Sequence, residues 1–127
     1  MDQILTSDAP APVGPYSQAV VYGDLVFVSG QIPLSPETGQ VCGDSIEEQA
    51  KQVLRNLAAV LQAAGASWRS VLRVTVYMTQ LEDFARFNSV YENALGGAKP
   101  ARATVQVSAL PLGVKLEIDA IAHKVSR

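Results

Sequence analysis

The sequence is poor in the residues that most often carry chemistry. It has one cysteine, Cys42, and one histidine, His123. A lone cysteine excludes an intrachain disulfide, and a reducing compartment is its natural setting. Cys42 lies between Val41 and Gly43 in a turn-rich stretch with no basic partner nearby in sequence. It reads as a small structural residue rather than an activated thiol. A single histidine rules out a two-histidine metal site within one chain, and no Cys/His cluster has zinc-like spacing. His123, beside Lys124, reads as a surface or structural residue, its near-neutral pKa being the sole generic argument for catalysis. Gly96-Gly97-Ala98-Lys99 lacks the spacing of a phosphate-binding loop, and no Gly-x-Ser-x-Gly elbow occurs. The ten basic residues are scattered and the net charge is −2, which argues against a nucleic-acid partner. No apolar run approaches the ~20 residues needed to span a bilayer. Met1 to Ser7 is polar and acidic rather than basic and then apolar, so no signal peptide, no membrane partner and a cytoplasmic location are expected.

What is present suits one compact domain over residues 1–127. The chain is 48% hydrophobic, enough for a core and for apolar surface that a partner subunit could cover. Pro10, Pro12, Gly14 and Pro15 stiffen an extended opening segment that presents Tyr16. Apolar stretches Ala19–Tyr22 and Leu25–Ser29 flank Gly23-Asp24, a hairpin signal, and 33–43 reads as loop. Ser45 and Glu48 form a capping box. Beyond them Ile46, Ala50, Val53, Leu54, Leu57, Val60, Leu61 and Ala64 recur at helical spacing as far as Gly65. Val71–Met78 is a β-branched strand. Asp83 is placed as the cap of a second helix with Phe84, Phe87, Tyr91 and Leu95 on its buried stripe, ended by Gly96-Gly97. Ala103–Leu110 and Lys115–Val125 alternate as strands around a turn at Leu110–Gly113. Arg102, Thr104, Gln106 and Ser108 share one face of the first. Glu117, Asp119, Ile121 and His123 share one face of the second.

This pattern predicts an α+β fold with two helices on one face of a mainly antiparallel sheet. The other face is left over, to be buried against other subunits.

Among the polar residues, Tyr16, Ser29, Asn88, Arg102 and Glu117 stand out. Arg102, in the apolar setting Pro100-Ala101-Arg102-Ala103, needs an anion for its planar fork. That anion is either Glu117, in a structural ion pair, or a ligand. A simple hairpin centred on Pro111-Leu112 would set Glu117 opposite Gln106, four residues or ~13 Å from Arg102. The two would then face different groups, meet across a subunit boundary, or lie on strands that do not pair.

The run Ala11-Pro12-Val13-Gly14-Pro15-Tyr16-Ser17-Gln18, then Val28-Ser29-Gly30-Gln31-Ile32-Pro33, resembles the RidA (YjgF) family of enamine/imine deaminases. So does Pro100-Ala101-Arg102-Ala103, followed by Ser108, Leu110 and Leu116-Glu117-Ile118. The resemblance spans nearly the whole chain. It implies a chorismate-mutase-like fold, a homotrimer with sites between subunits, and hydrolysis of 2-enamine or 2-imine acids such as 2-aminoacrylate to 2-oxo acids and ammonia, with no cofactor and no metal. It implies that Arg102 binds the substrate carboxylate and Glu117 handles water. Tyr16 and Ser29 contact substrate or assist proton transfer, Asn88 supports, and Gly30 leaves room where a side chain would crowd the ligand. Thr104 departs from the pattern, since many relatives carry cysteine there; its backbone N–H still suits a carboxylate. Arg102 nearby would keep Glu117 ionised. Two other readings stand beside this one: a ligand-binding regulatory trimer, and a ribonuclease or translation inhibitor.

Overall fold

The capping box at Ser45 starts helix α1 (Ile46–Ala63) in a computed structural model that describes residues 1–125. Glu48 N–H donates to Ser45 Oγ at 3.1 Å, and Ser45 N–H donates back to Glu48 Oε1 at 3.3 Å. These bonds hold the Glu48 carboxyl below its ordinary pKa. The eight apolar residues of the stripe are all buried. The helix stops where Gly65 takes a left-handed φ of 80° and Ala66 N–H returns to the Leu61 carbonyl at 2.8 Å. Replacing Ser45 with alanine removes this cap. It should cost about 1 kcal/mol in urea unfolding with an unchanged m-value.

Six strands form one sheet: β1 (Asp2–Ile4), β2 (Ala19–Tyr22), β3 (Leu25–Gln31), β4 (Val71–Met78), β5 (Ala101–Gln106) and β6 (Leu116–His123), in the order β1-β2-β3-β6-β4-β5. All neighbours are antiparallel except β4 and β5, which run parallel. Helix α2 (Phe84–Leu95) supplies the crossover that parallel strands require. The α+β expectation, with helices on one face of a mainly antiparallel sheet, holds. The hairpin around Pro111-Leu112 does not form. Strand β6 inserts between β3 and β4, and β5 lies beyond β4 at the sheet edge. Burial explains the order: Leu116, Ile118, Ala120 and Ala122 of β6 are all buried, as a central strand demands. Strand β5 carries Arg102, Thr104 and Gln106 toward the helices, and such polar residues suit an edge. Strand β1 is an unforeseen addition, three residues whose polar sequence hid their pairing with Val21, Val20 and Ala19.

Asp83 precedes α2 but makes no side-chain cap bond; its carboxylate pairs with Arg86, which also reaches Glu47 of α1 at 3.8 Å. The expected stripe of α2 is split. Phe87 and Leu95 enter the core, whereas Phe84 is 38% exposed and Tyr91 is part-buried. Among the described residues no helix is long and apolar enough to cross a membrane. The face of the sheet away from the helices leaves Phe27 and Val105 exposed.

Candidate active site

Glu117 lies on that open face, and the local structure of β3 is shaped around it. Val28 pairs with Ala120 and Gln31 with Ile118, so β3 spends three steps where β6 spends two. The extra residue makes a bulge at Ser29-Gly30. A β-carbon added to Gly30 would overlap Glu117 Oε2 and lie 2.9 Å from its Cδ. Glycine is therefore needed here for space, because its φ is not positive. The room it leaves is filled by the Glu117 carboxyl rather than standing open for a ligand.

Ser29 Oγ donates to the Ser17 carbonyl at 2.6 Å, and Ser29 N–H donates to the Gln18 carbonyl at 2.9 Å. The hydroxyl thus ties the segment after Tyr16 to the bulge. Gln18, buried, accepts from Thr6 N–H at 2.7 Å and donates to the Pro10 carbonyl at 2.8 Å, which anchors the proline-rich segment. Tyr16, half exposed, lines with Gly30, Gln31 and Ile32 a narrow cleft of about 30 Å³. Gly30 and Ser29 are therefore brought to Glu117, and Tyr16 shares a cleft with Gly30. Burial, and then the nearby Asp119, push the Glu117 carboxyl above its ordinary pKa. The expectation that Arg102 keeps Glu117 ionised fails within one chain.

The reason is geometric. Arg102 pairs with Val74, a core residue beneath the helices, while Glu117 pairs with Tyr77 on the other face. The sheet lies between them, so the structural Arg102–Glu117 ion pair does not form. Instead the guanidinium carbon sits 4.8 Å from the Tyr91 ring centroid, 5.5 Å from that of Phe84 and 5.8 Å from that of Phe87. Among the described residues Arg102 has no carboxylate partner. It opens into a cavity of about 400 Å³ that is also lined by Asn88, Tyr91, Lys99 and Pro100. Asn88 Oδ1 and the Tyr91 hydroxyl are buried there without hydrogen-bond partners. Native proteins leave few such atoms unpaired, so each asks for a missing partner. Burial raises the Tyr91 phenol pKa, and Arg102 opposes that shift.

Thr104 follows Arg102 along the same face, opposite Val76. Val107 N–H donates to the Met78 carbonyl at 2.8 Å. By strand alternation, the N–H groups of Arg102 and Thr104 then point away from β4 to the free sheet edge. A guanidinium fork beside unpaired edge N–H groups is a carboxylate-binding arrangement.

A family model described as Endoribonuclease L-PSP matches residues 6–124. The chain belongs to this family, which includes the RidA proteins. It is 51% identical over 121 residues to a RutC family protein of Pyrococcus abyssi, covering 95% of each chain. It is 44% identical over 119 residues to the 2-iminobutanoate/2-iminopropanoate deaminase of Mus musculus, covering 94% of this chain and 88% of that one. The crystal structure of RidA from an Antarctic Psychrobacter superposes with a TM-score of 0.93 at 44% identity, over 97% of this chain and 99% of that one.

Against this RidA-family frame, sequence reasoning missed Phe84 and Tyr91 as companions of Arg102. Helical spacing alone places both on the core stripe of α2. The available signal was the spacing: Phe84, Asn88 and Tyr91 form their own stripe, with a polar residue at its centre, offset from Phe87. It also missed Asp119 and Tyr77, whose proximity to Glu117 depends on strand register.

Proposed function

We propose that this RidA-family protein hydrolyses reactive 2-enamine and 2-imine acids, such as 2-aminoacrylate, to 2-oxo acids and ammonia, without a cofactor, in the cytoplasm. The observation that carries this reading is the Arg102 guanidinium, without a carboxylate partner among the described residues and held by aromatic rings at the mouth of a cavity and at the sheet edge. The similarity to the mouse deaminase supports the choice of substrate class.

The enamine tautomerises to the imine. Arg102 binds the carboxylate bidentately, and the edge N–H of Thr104 takes a further lone pair. Water adds to the imine carbon while Glu117 takes its proton. Glu117 passes that proton to the nitrogen, which completes the carbinolamine, and then carries the carbinolamine hydroxyl proton to the same nitrogen, so that ammonia leaves as the carbonyl forms. A carboxyl raised toward neutrality suits both transfers. Arg102 and Glu117 lie on opposite faces of one sheet, so a complete site joins Arg102, Thr104 and Asn88 of one copy to Glu117, Gly30, Ser29 and Tyr16 of another. A homotrimer with sites between subunits, built from one domain per chain, meets that need. The exposed Phe27 and Val105 would lie in its interfaces.

The test follows pyruvate release from 2-aminoacrylate generated by a serine dehydratase, with and without the protein, alongside sedimentation equilibrium. Acceleration by a trimer is expected. Glu117→Gln should lower kcat/KM by about 10²–10⁴-fold, the usual range for losing acid–base help. Equal rates with and without protein would defeat the reading.

The family description favours one other reading, ribonuclease activity. RNA cleavage by the same preparation, lost in Arg102→Ala, would support it over deamination. A 2-oxo acid that binds without any acceleration of pyruvate release would instead mark a regulatory ligand-binding trimer.

A further inference from the structure

Three side chains on the open face of the sheet form a connected group. Glu117 and Asp119 are two residues apart on β6 and project to the same side, about 7 Å apart along the strand. Tyr77 of β4 stands directly opposite Glu117, and its hydroxyl reaches diagonally to donate to Asp119 Oδ2 at 3.0 Å. Thr75 lies opposite Asp119, and the Ser29-Gly30 bulge closes the other flank of Glu117.

We propose that Asp119, held in place by the Tyr77 hydroxyl, is a positioning residue that governs the charge on the Glu117 carboxyl. This deepens the reading of Glu117 as the group that handles water and rests on it.

The physical argument has two parts. The Tyr77 hydroxyl donates to Asp119 Oδ2 and so fixes the position of that carboxylate beside Glu117. A fixed negative charge beside a half-buried carboxyl favours that carboxyl's protonated form. Burial is the larger cause of the upward shift at Glu117, and Asp119 is the second. The Tyr77 phenol is itself pushed up by burial and by its bond to Asp119, so it stays a donor at neutral pH.

Within one chain the cations nearest this group are Lys115, two residues before Glu117, and Arg73 of β4, diagonal to Asp119, and neither forms an ion pair with the two acids among the described residues; the proposed site adds Arg102 of another copy. The bulge of β3 presents Ser29 and Gly30, which do not ionise, and the proline-rich segment presents the Tyr16 phenol. Beyond Tyr77, β5 presents Val105. His123 stands four residues beyond Asp119, with Nδ1 3.0 Å from the Lys124 carbonyl oxygen. Asp119 is the one charge that raises Glu117, so removing it takes away the second of the two upward causes and leaves burial as the first.

The experiment reads Glu117 directly, by ¹³C NMR titration of its side-chain carboxyl in the full protein, with Glu117→Gln identifying the signal. In Asp119→Asn the Glu117 midpoint should move to lower pH. In Tyr77→Phe, where Asp119 is no longer held, the Glu117 midpoint should move in the same direction. The limb of the kcat/KM profile that Glu117→Gln abolishes should move to lower pH in Asp119→Asn, whichever protonation state of Glu117 is the active one. A Glu117 midpoint that stays or rises in a folded Asp119→Asn protein would overturn the proposal. Asp119→Ser gives the same reading if the asparagine variant does not fold. A wild-type protein that fails to accelerate pyruvate release would defeat the deaminase reading alone, since the NMR midpoints decide the positioning role without reference to turnover.

Discussion

Arg102→Ala should lower kcat/KM for 2-aminoacrylate by about 10²–10⁴-fold while leaving the protein folded. Two charge-assisted hydrogen bonds to a carboxylate contribute about 1.5–3 kcal/mol each, and their sum sets this range. Arg102→Lys should recover about tenfold of the loss at most. The lysine restores a charge but not the planar fork that matches a carboxylate, nor the flat surface that lies on Tyr91. Stability should change little. Arg102 forms no ion pair among the described residues and is only half-buried. Its contact with the rings of Phe84, Phe87 and Tyr91, made at a partly exposed site, contributes about 1 kcal/mol. Thermal unfolding and sedimentation, run beside the pyruvate assay, separate the two effects. An Arg102→Ala protein with wild-type kcat/KM would remove the carboxylate-binding role.

The parts of this molecule that were readable in advance are those whose causes are local. Helix α1 has its cap, its apolar period and its stop signal within twenty or so residues, and each is an i,i+3 or i,i+4 relation. The alternation of β6 was equally plain, because burial on one face imposes a period of two. Sheet order was not readable. Nothing near Pro111-Leu112 tells β5 to pair with β4 rather than with its sequence neighbour β6. That choice is made by the helices, which need the apolar stripe of β6 beneath them. The site shows the same division. Arg102, Glu117 and Gly30 were recognisable from their motifs. Their relation was not, and the expectation that Arg102 would hold Glu117 ionised assumed a nearness that the sheet prevents. The aromatic support of Arg102 was hidden because Phe84 and Tyr91 look like core residues until β5 is known to lie under them.

Gly30→Ala should cost activity far more than stability. The backbone at Gly30 has no positive φ, so alanine is conformationally acceptable there. It would also gain about 0.4–1 kcal/mol by reducing the freedom of the unfolded chain. The obstacle is the Glu117 carboxyl, which a new methyl group would overlap. That carboxyl ends a flexible side chain on a half-exposed face, so it turns aside instead of forcing the strands apart. The net change in folding free energy should stay within about 1–2 kcal/mol. Displacing the group that handles water by about an ångström, however, should lower kcat by about 10²-fold. Adding Gly30→Ala to Glu117→Gln should then cost little further activity, because both substitutions disable the same carboxyl. If the two losses multiplied instead, Gly30 would be acting on the substrate itself, and the bulge would serve to make room for a ligand rather than for Glu117.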